Sequence, residues 1–327
     1  MEHTRVTAEE LRDALHTAIR EHSSGVEWVR WLDASVALCN YSFRNVVLIT
    51  LQMPYASQVA RSEVWRKLGR TVSADEQNRE IRILAPVIQQ GSRRTVYAAS
   101  DAELELERGR SARGGGRLVG FKVASVWDIS QTDGPALLPA SAPAGGASLS
   151  DLWRALAHEI HSAGLMLVEG DPGYRNLDGI TDHQARTVTI RNGLEDITAV
   201  ARLAHEVARL RMHNPRAMAS PEDVMCRGVR EVEAESVAYL LMAHHGWSAG
   251  GSSFQYIASW AAAVNRREPE KVIERTGTRV VSVSRRLIES VDRHVRRAGP
   301  SQRHASALDQ LALRRDATER PFDGPAW

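Results

Sequence analysis

The segment Leu203-Ala204-His205-Glu206-Val207-Ala208-Arg209 lies one substitution away from H-E-x-x-H. In that pattern two imidazoles four residues apart on one helical face hold Zn²⁺, and the glutamate after the first activates the metal-bound water for hydrolysis. Here Arg209 stands at the second histidine. A guanidinium is always protonated and has donors only, so it can neither coordinate a cation nor attract one. Zinc is therefore an open question: the site is either metal-free or rebuilt from other ligands. In a surviving hydrolase His205 would be a ligand and Glu206 the general base.

A further ligand has to come from another element. Val229, Glu233, Val237, Leu240 and Leu241 follow helical spacing, which puts a carboxylate at a core-facing position. Isolated burial of that charge would cost several kcal/mol, roughly, so Glu233 needs a metal or a cation beside it. Glu233 is the choice for the third ligand, ahead of Glu231 and Glu235. The alternative is an acidic first turn favoured by the helix dipole. In a metal-free version Arg209 would pair with Glu233 or Glu206. His213 points along the same stripe as His205 and Arg209 and is a weak substitute ligand, because eight residues of helix separate it from His205 by about 12 Å. His158-Glu159-Ile160-His161 has the wrong spacing and reads as a solvated helix face. His244 and His245 are adjacent, and side chains one residue apart on a helix diverge by about 100°, so helix-end polar roles are expected for them.

The elements that must position these groups can be read from local signals. Thr7 and Glu10 form a capping-box pattern before a helix over about 8–22, and a second helix begins near Val26. Ser57 to Leu68 is amphipathic and stops at Gly69. Glu80 to Val87 alternates and closes at a proline, reading as a strand, with Val119 to Val126 a second. Helices are expected over about 149–163, after Asn192 and Glu195 up to Asn214-Pro215, and over about 221–244 and 271–297. Val168 to Gly173 reads as a turn, and Arg186 to Arg191 as a short exposed strand.

The class is α+β: an N-terminal α+β domain over 1–133, a Pro/Ala/Gly/Ser-rich linker over 134–148, a mainly helical domain with a small sheet over 149–298, and a tail over 299–327. The 327 residues are long enough for two domains, and 43% hydrophobic with 25% charged residues is globular usage. No apolar run reaches about 18 residues and the N-terminus lacks a signal-peptide core, so no membrane role and a cytoplasmic location are expected. Cys39 and Cys226 have no metal-ligand spacing and read as buried thiols. A net charge of +2 excludes a histone-like polycation but leaves room for a local basic groove.

The motifs W-V-R-W-L, N-Y-S-F-R-N, L-I-T-L-Q-M-P, V-W-R-K-L-G-R and I-L-A-P-V between Trp28 and Val87 are followed by G-F-K and then V-W-D-I-S-Q-T at Val126 to Thr132. Together they resemble the N-terminal domain of ArdC-type antirestriction proteins. L-A-H-E-V-A-R-L-R-M-H, E-V-E-A-E-S-V-A-Y-L-L and F-Q-Y-I-A-S-W are similar to the zincin-like metallopeptidase domain that accompanies it. The resemblance spans roughly residues 25 to 297. It implies single-stranded DNA as a partner, metal-ligand positions at His205 and Glu233, and a general-base position at Glu206. Arg209 departs from the pattern, which argues for a weakened or inactive second domain.

Non-sequence-specific binding of single strands needs cations along a groove and aromatic faces for stacking. Arg44, Arg61, Arg66, Lys67 and Arg70 interleave with Tyr41, Phe43 and Trp65, and Arg110, Arg113 and Arg117 lie in a Gly/Arg-rich loop. Trp28, Trp31 and Trp127 read as core. Two alternatives stay open. One is an active zinc peptidase with a rearranged ligand set and a protein substrate docked on the Arg186 to Arg191 edge. The other is a protein-docking module without DNA binding.

Overall fold

The computed structural model describes residues 6–90, 93–96, 117–137, 147–175, 177–213, 227–248, 254 and 257–298. The class is α+β. The N-terminal half contains α1 (Ala8–Glu21), α2 (Gly25–Ala37), α3 (Phe43–Gln52), β1 (Val59–Ala60), α4 (Ser62–Lys67), β2 (Thr71–Val72), β3 (Ile81–Gln90), β4 (Arg93–Val96), β5 (Arg117–Asp128) and β6 (Thr132–Asp133). The C-terminal half contains α5 (Leu149–Ser162), β7 (Met166–Gly170), β8 (Gly179–Asp182), β9 (Thr187–Arg191), α6 (Asp196–Met212), α7 (Arg227–His244), α8 (Ile257–Val264) and α9 (Pro269–Ala298). Among the described residues no helix is long and apolar enough to cross a membrane.

The first helix begins as its sequence dictates. Thr7 accepts from the Glu10 amide while the Glu10 carboxylate takes the Thr7 amide at 2.7 Å, closing the capping box. The helix over 57–68 shortens to α4, because Val59 and Ala60 pair with Trp127 and Asp128 of β5 instead. Gly69 stops it at φ 76°, as expected.

The larger sheet has the order β1-β5-β3-β4 and is antiparallel throughout. Strand β3 does not close at Pro86. It runs on to Gln90, with a register shift against β5 between Val87 and Ile88. Helix α3 is fixed on this sheet by Asn45, whose amide donates to the Leu84 carbonyl and accepts from the Leu84 N–H, both at 2.9 Å. The second sheet pairs β2 with β6.

The third sheet corrects two readings. Residues 166–170 form β7 rather than a turn, and β9 is the central strand, parallel to β7 on one side and antiparallel to β8 on the other. Both of its edges are occupied, and Val188 and Ile190 are fully buried. The segment expected to dock an extended peptide therefore has no free edge to offer.

The main hydrophobic core runs through both halves, from Leu11, Trp28 and Phe43 to Val237, Val280 and Val291. Packing does not divide at 134–148. The Trp28 indole donates to the Ser236 hydroxyl at 2.9 Å in the interior, and Tyr239 donates to Asp33 at 2.5 Å. Phe43 packs against Trp28 and Trp31 with ring centroids 5.6 and 5.9 Å away. A β-carbon at Gly277 of α9 would collide with that Phe43 ring, so glycine alone permits this approach. His16 and Arg20 of α1 pair with Glu274 and Glu270 of α9 at 2.8 and 3.0 Å.

Candidate functional site

Helices α6 and α7 pack side by side and carry every residue expected of a metal centre, but in a different partnership. His205 is 3% exposed. Its Nδ1 lies 3.0 Å from Glu235 Oε2, and its Nε2 lies 3.4 Å from Glu231 Oε1. Each carboxylate also faces an arginine of α6: Arg202 at 3.9 Å from Glu235 and Arg209 at 4.0 Å from Glu231. The result is a row of alternating groups, Arg202, Glu235, His205, Glu231 and Arg209.

Glu233 is buried, as its helical position requires, and its charge has the cation that burial demands. That cation is not Arg209. Arg279 of α9 reaches Glu233 Oε1 at 2.8 Å, and His213 Nε2 lies 2.9 Å from Oε2. The placement follows from helix geometry: residues two apart point about 200° away from each other, so Glu233 cannot share a face with Glu231 and Glu235. The two glutamates ranked behind Glu233 are the ones that flank His205. Arg209 stays on the face of His205 but at its solvent-facing edge, where it meets Glu231 rather than Glu233. Four residues advance a helix about 40° past a full turn, and by Arg209 the side chain is 44% exposed.

Glu206 is 3% exposed and accepts the Thr181 hydroxyl of β8 at 2.6 Å. A β-carbon at Gly179 on the same strand would lie 3.5 Å from Glu206 Oε1, so the strand passes close over the carboxylate.

These residues do not fit a zincin-type zinc ion. Arg209 has no lone pair, and the carboxylates beside His205 sit at opposite ring nitrogens, so one nitrogen cannot share an ion with both. The Glu233 carboxylate is saturated by His213 and Arg279, which also removes His213 as a substitute ligand. Thr181, Arg279 and the pair Glu231/Glu235 were not selected from sequence. Only the i, i+4 spacing of the two glutamates carried a signal.

In His158-Glu159-Ile160-His161 both histidines are exposed, as expected, and of the polar side chains only Glu159 is partly covered. Glu159 is tied to Arg211 of α6 and to the Ser290 hydroxyl of α9 at 2.6 Å.

A separate cluster joins the end of α7 to α9. His244 Nε2 lies 3.6 Å from Asp292 Oδ2, and His245 Nε2 lies 3.6 Å from Asp292 Oδ1. Burial, with His244 adding to it and Asp292 opposing, pulls the His245 imidazole down to about 4. Burial pushes the Asp292 carboxyl up, but His244, His245 and Arg296 outweigh it and hold it below the ordinary range.

The expected nucleic-acid face is partly dismantled. Phe43 is fully buried, Trp65 is 2% exposed with its indole donating to the Trp127 carbonyl, and Tyr41 is 7% exposed with its hydroxyl donating to Val59. None of the three presents a ring for stacking. Burial raises the Tyr41 phenol. Arg70 is also structural: its guanidinium donates to the Thr132 hydroxyl and to the carbonyls of Gly134 and Pro135. Arg44 pairs with Glu274 and lies 5.9 Å from the Phe121 ring. What stays in solvent is Arg66 and Lys67, with Arg61 half-buried. Tyr55, not selected from sequence, is 92% exposed. Arg117 lies in β5, and Arg110 and Arg113 lie outside the described residues.

No family model matches the chain, and no curated protein matches it. Among solved structures it is similar to the metal-free crystal structure of antirestriction ArdC protein from R388 plasmid, at 14% identity and a TM-score of 0.48, covering 79% of this chain and 85% of that one. It is likewise similar to the Mn(II)-bound structure of that protein, at 14% identity and a TM-score of 0.44, covering 78% of this chain and 88% of that one.

Proposed function

We propose that the chain is a single-stranded-DNA-binding protein of antirestriction type, whose C-terminal half keeps the zincin-like helix pair as a scaffold without hydrolytic chemistry. The motifs over residues 28–87 and 120–132 support the first part. The observation that carries it is the segment from Tyr55 to Lys67, where an open aromatic ring precedes Arg61 at the N-cap of a short helix and the exposed Arg66 and Lys67 on it. Those are the two kinds of group that sequence-tolerant binding of single strands uses. The second part rests on the carboxylates around His205 and Glu233, which among the described residues are partnered by arginines, histidines and Thr181 rather than converging on one point.

Fluorescence anisotropy with a labelled single-stranded oligonucleotide tests the DNA reading. Association should weaken as salt rises, and Arg66→Glu with Lys67→Glu should weaken it about tenfold or more while reducing the salt slope by about 0.7 for each phosphate left without its cation. No association at low salt would contradict this reading and favour a protein-docking role.

A further inference from the structure

Among the described residues, one group of three possible metal ligands has its donor atoms all within 4.8 Å of one another: His244, His245 and Asp292. We propose that these residues form a binding site for a divalent transition-metal ion that ties the C-terminal end of α7 to α9. The site does not depend on the DNA reading. It lies nine residues beyond Glu235, about 13 Å along the helix, and shares no residue with the His205 row.

Adjacent residues of a helix diverge by about 100° at the backbone, yet the side chains of His244 and His245 both reach Asp292. Here α7 ends at His244, and the chain turns through Gly246 at φ 79°, with the Gly246 and Trp247 amides donating back to Ala243 and Met242 at 3.0 and 2.9 Å. This is a Schellman closure with His245 at the C-cap, where its amide still bonds the Leu241 carbonyl at 3.4 Å. The two imidazoles lie 4.9 Å apart at 86°, both within reach of one carboxylate.

The imidazole-to-carboxylate separations are close to those between ligands of one ion. Each Asp292 oxygen stands 3.6 Å from one imidazole Nε2, beyond the usual hydrogen-bond range. Two ligand atoms on a tetrahedral ion with bonds of about 2.1 Å lie about 3.4 Å apart. His245 is 6% exposed, and its Nε2 makes no hydrogen bond among the described residues although it is aimed at the cluster. The negative end of the α7 dipole adds attraction for a cation. Arg296 Nη1 stands 3.9 Å from Asp292 Oδ2, but its side chain is 71% exposed and can swing into water. Two imidazoles with one carboxylate select zinc, cobalt or nickel over calcium or magnesium, and leave a fourth position for water.

The test uses the full chain stripped by a chelator and titrated with Co²⁺, whose visible absorption reports tetrahedral nitrogen ligation, followed by competition with Zn²⁺. One equivalent should bind both the wild type and His205→Gln, and Zn²⁺ should raise the melting temperature of both. Asp292→Asn and, independently, the more exposed ligand change His244→Gln should each weaken binding at least tenfold and remove that thermal shift. Circular dichroism checks that each variant is folded, and the oligonucleotide affinity of Asp292→Asn should equal that of the wild type. Equal Co²⁺ affinity in wild type and both variants, no binding by the wild type, or loss of binding in His205→Gln alone would overturn the proposal.

Discussion

Removing both partners of the Glu233 carboxylate, with Arg279→Met and His213→Phe together, is expected to destabilise the protein by about 3–5 kcal/mol, because a buried charge is left uncompensated. Glu233 is 1% exposed, whereas the Arg279 side chain is 53% exposed. The asymmetry makes a sharper point than the loss itself. Arg279→Met alone should cost much less, on the order of 1 kcal/mol, since the outer part of that pair is already screened and His213 remains. Adding Glu233→Leu to the double variant should restore most of the lost stability, because an apolar side chain in the same volume has no charge to satisfy. Urea unfolding of the four proteins reads this directly. A triple variant no more stable than the double would mean that packing, and not the carboxylate's need for cations, dominates the site.

The second large effect is expected at Trp28. Trp28→Ala should destabilise by about 3–5 kcal/mol, the range for truncating a large buried aromatic. The ring is fully buried, packs on Phe43 and donates to Ser236 across the two halves of the chain. Because the main core is continuous, thermal unfolding of wild type and variant should each show one transition, with near-UV and far-UV signals disappearing together. Two separate transitions, with only the first shifted by the substitution, would contradict a shared core.

Local signals are legible where the physics is local. The Thr7/Glu10 capping box, the Gly69 stop and the buried face of Glu233 all follow from spacings of three and four residues. The cation that satisfies Glu233 does not, because Arg279 comes from a helix far along the chain and only packing brings it near. Arg209 is the obvious candidate by sequence proximity, yet its guanidinium lies at the solvent-facing edge of the helix pair beside Glu231. Aromatic residues in the N-terminal half pose a different difficulty. Tyr41, Phe43 and Trp65 are equally suited to stacking on bases or filling a core, and burial alone separates the two. Tyr55 gives no signal because an aromatic residue after a proline carries no pattern of its own. The convergence of His244, His245 and Asp292 is hidden because Asp292 lies on another helix, far along the chain, and only packing brings it to the histidines.

The His205 region is expected to hold no metal ion, because Arg202, Arg209 and the imidazole itself already partner Glu235 and Glu231. The most direct measurement is the zinc retained by Asp292→Asn, in which the distal cluster is disabled, after equilibration with trace zinc and removal of free ion. No zinc should be held there, and adding His205→Gln should change nothing. One equivalent of zinc in Asp292→Asn that disappears with His205→Gln would contradict this expectation.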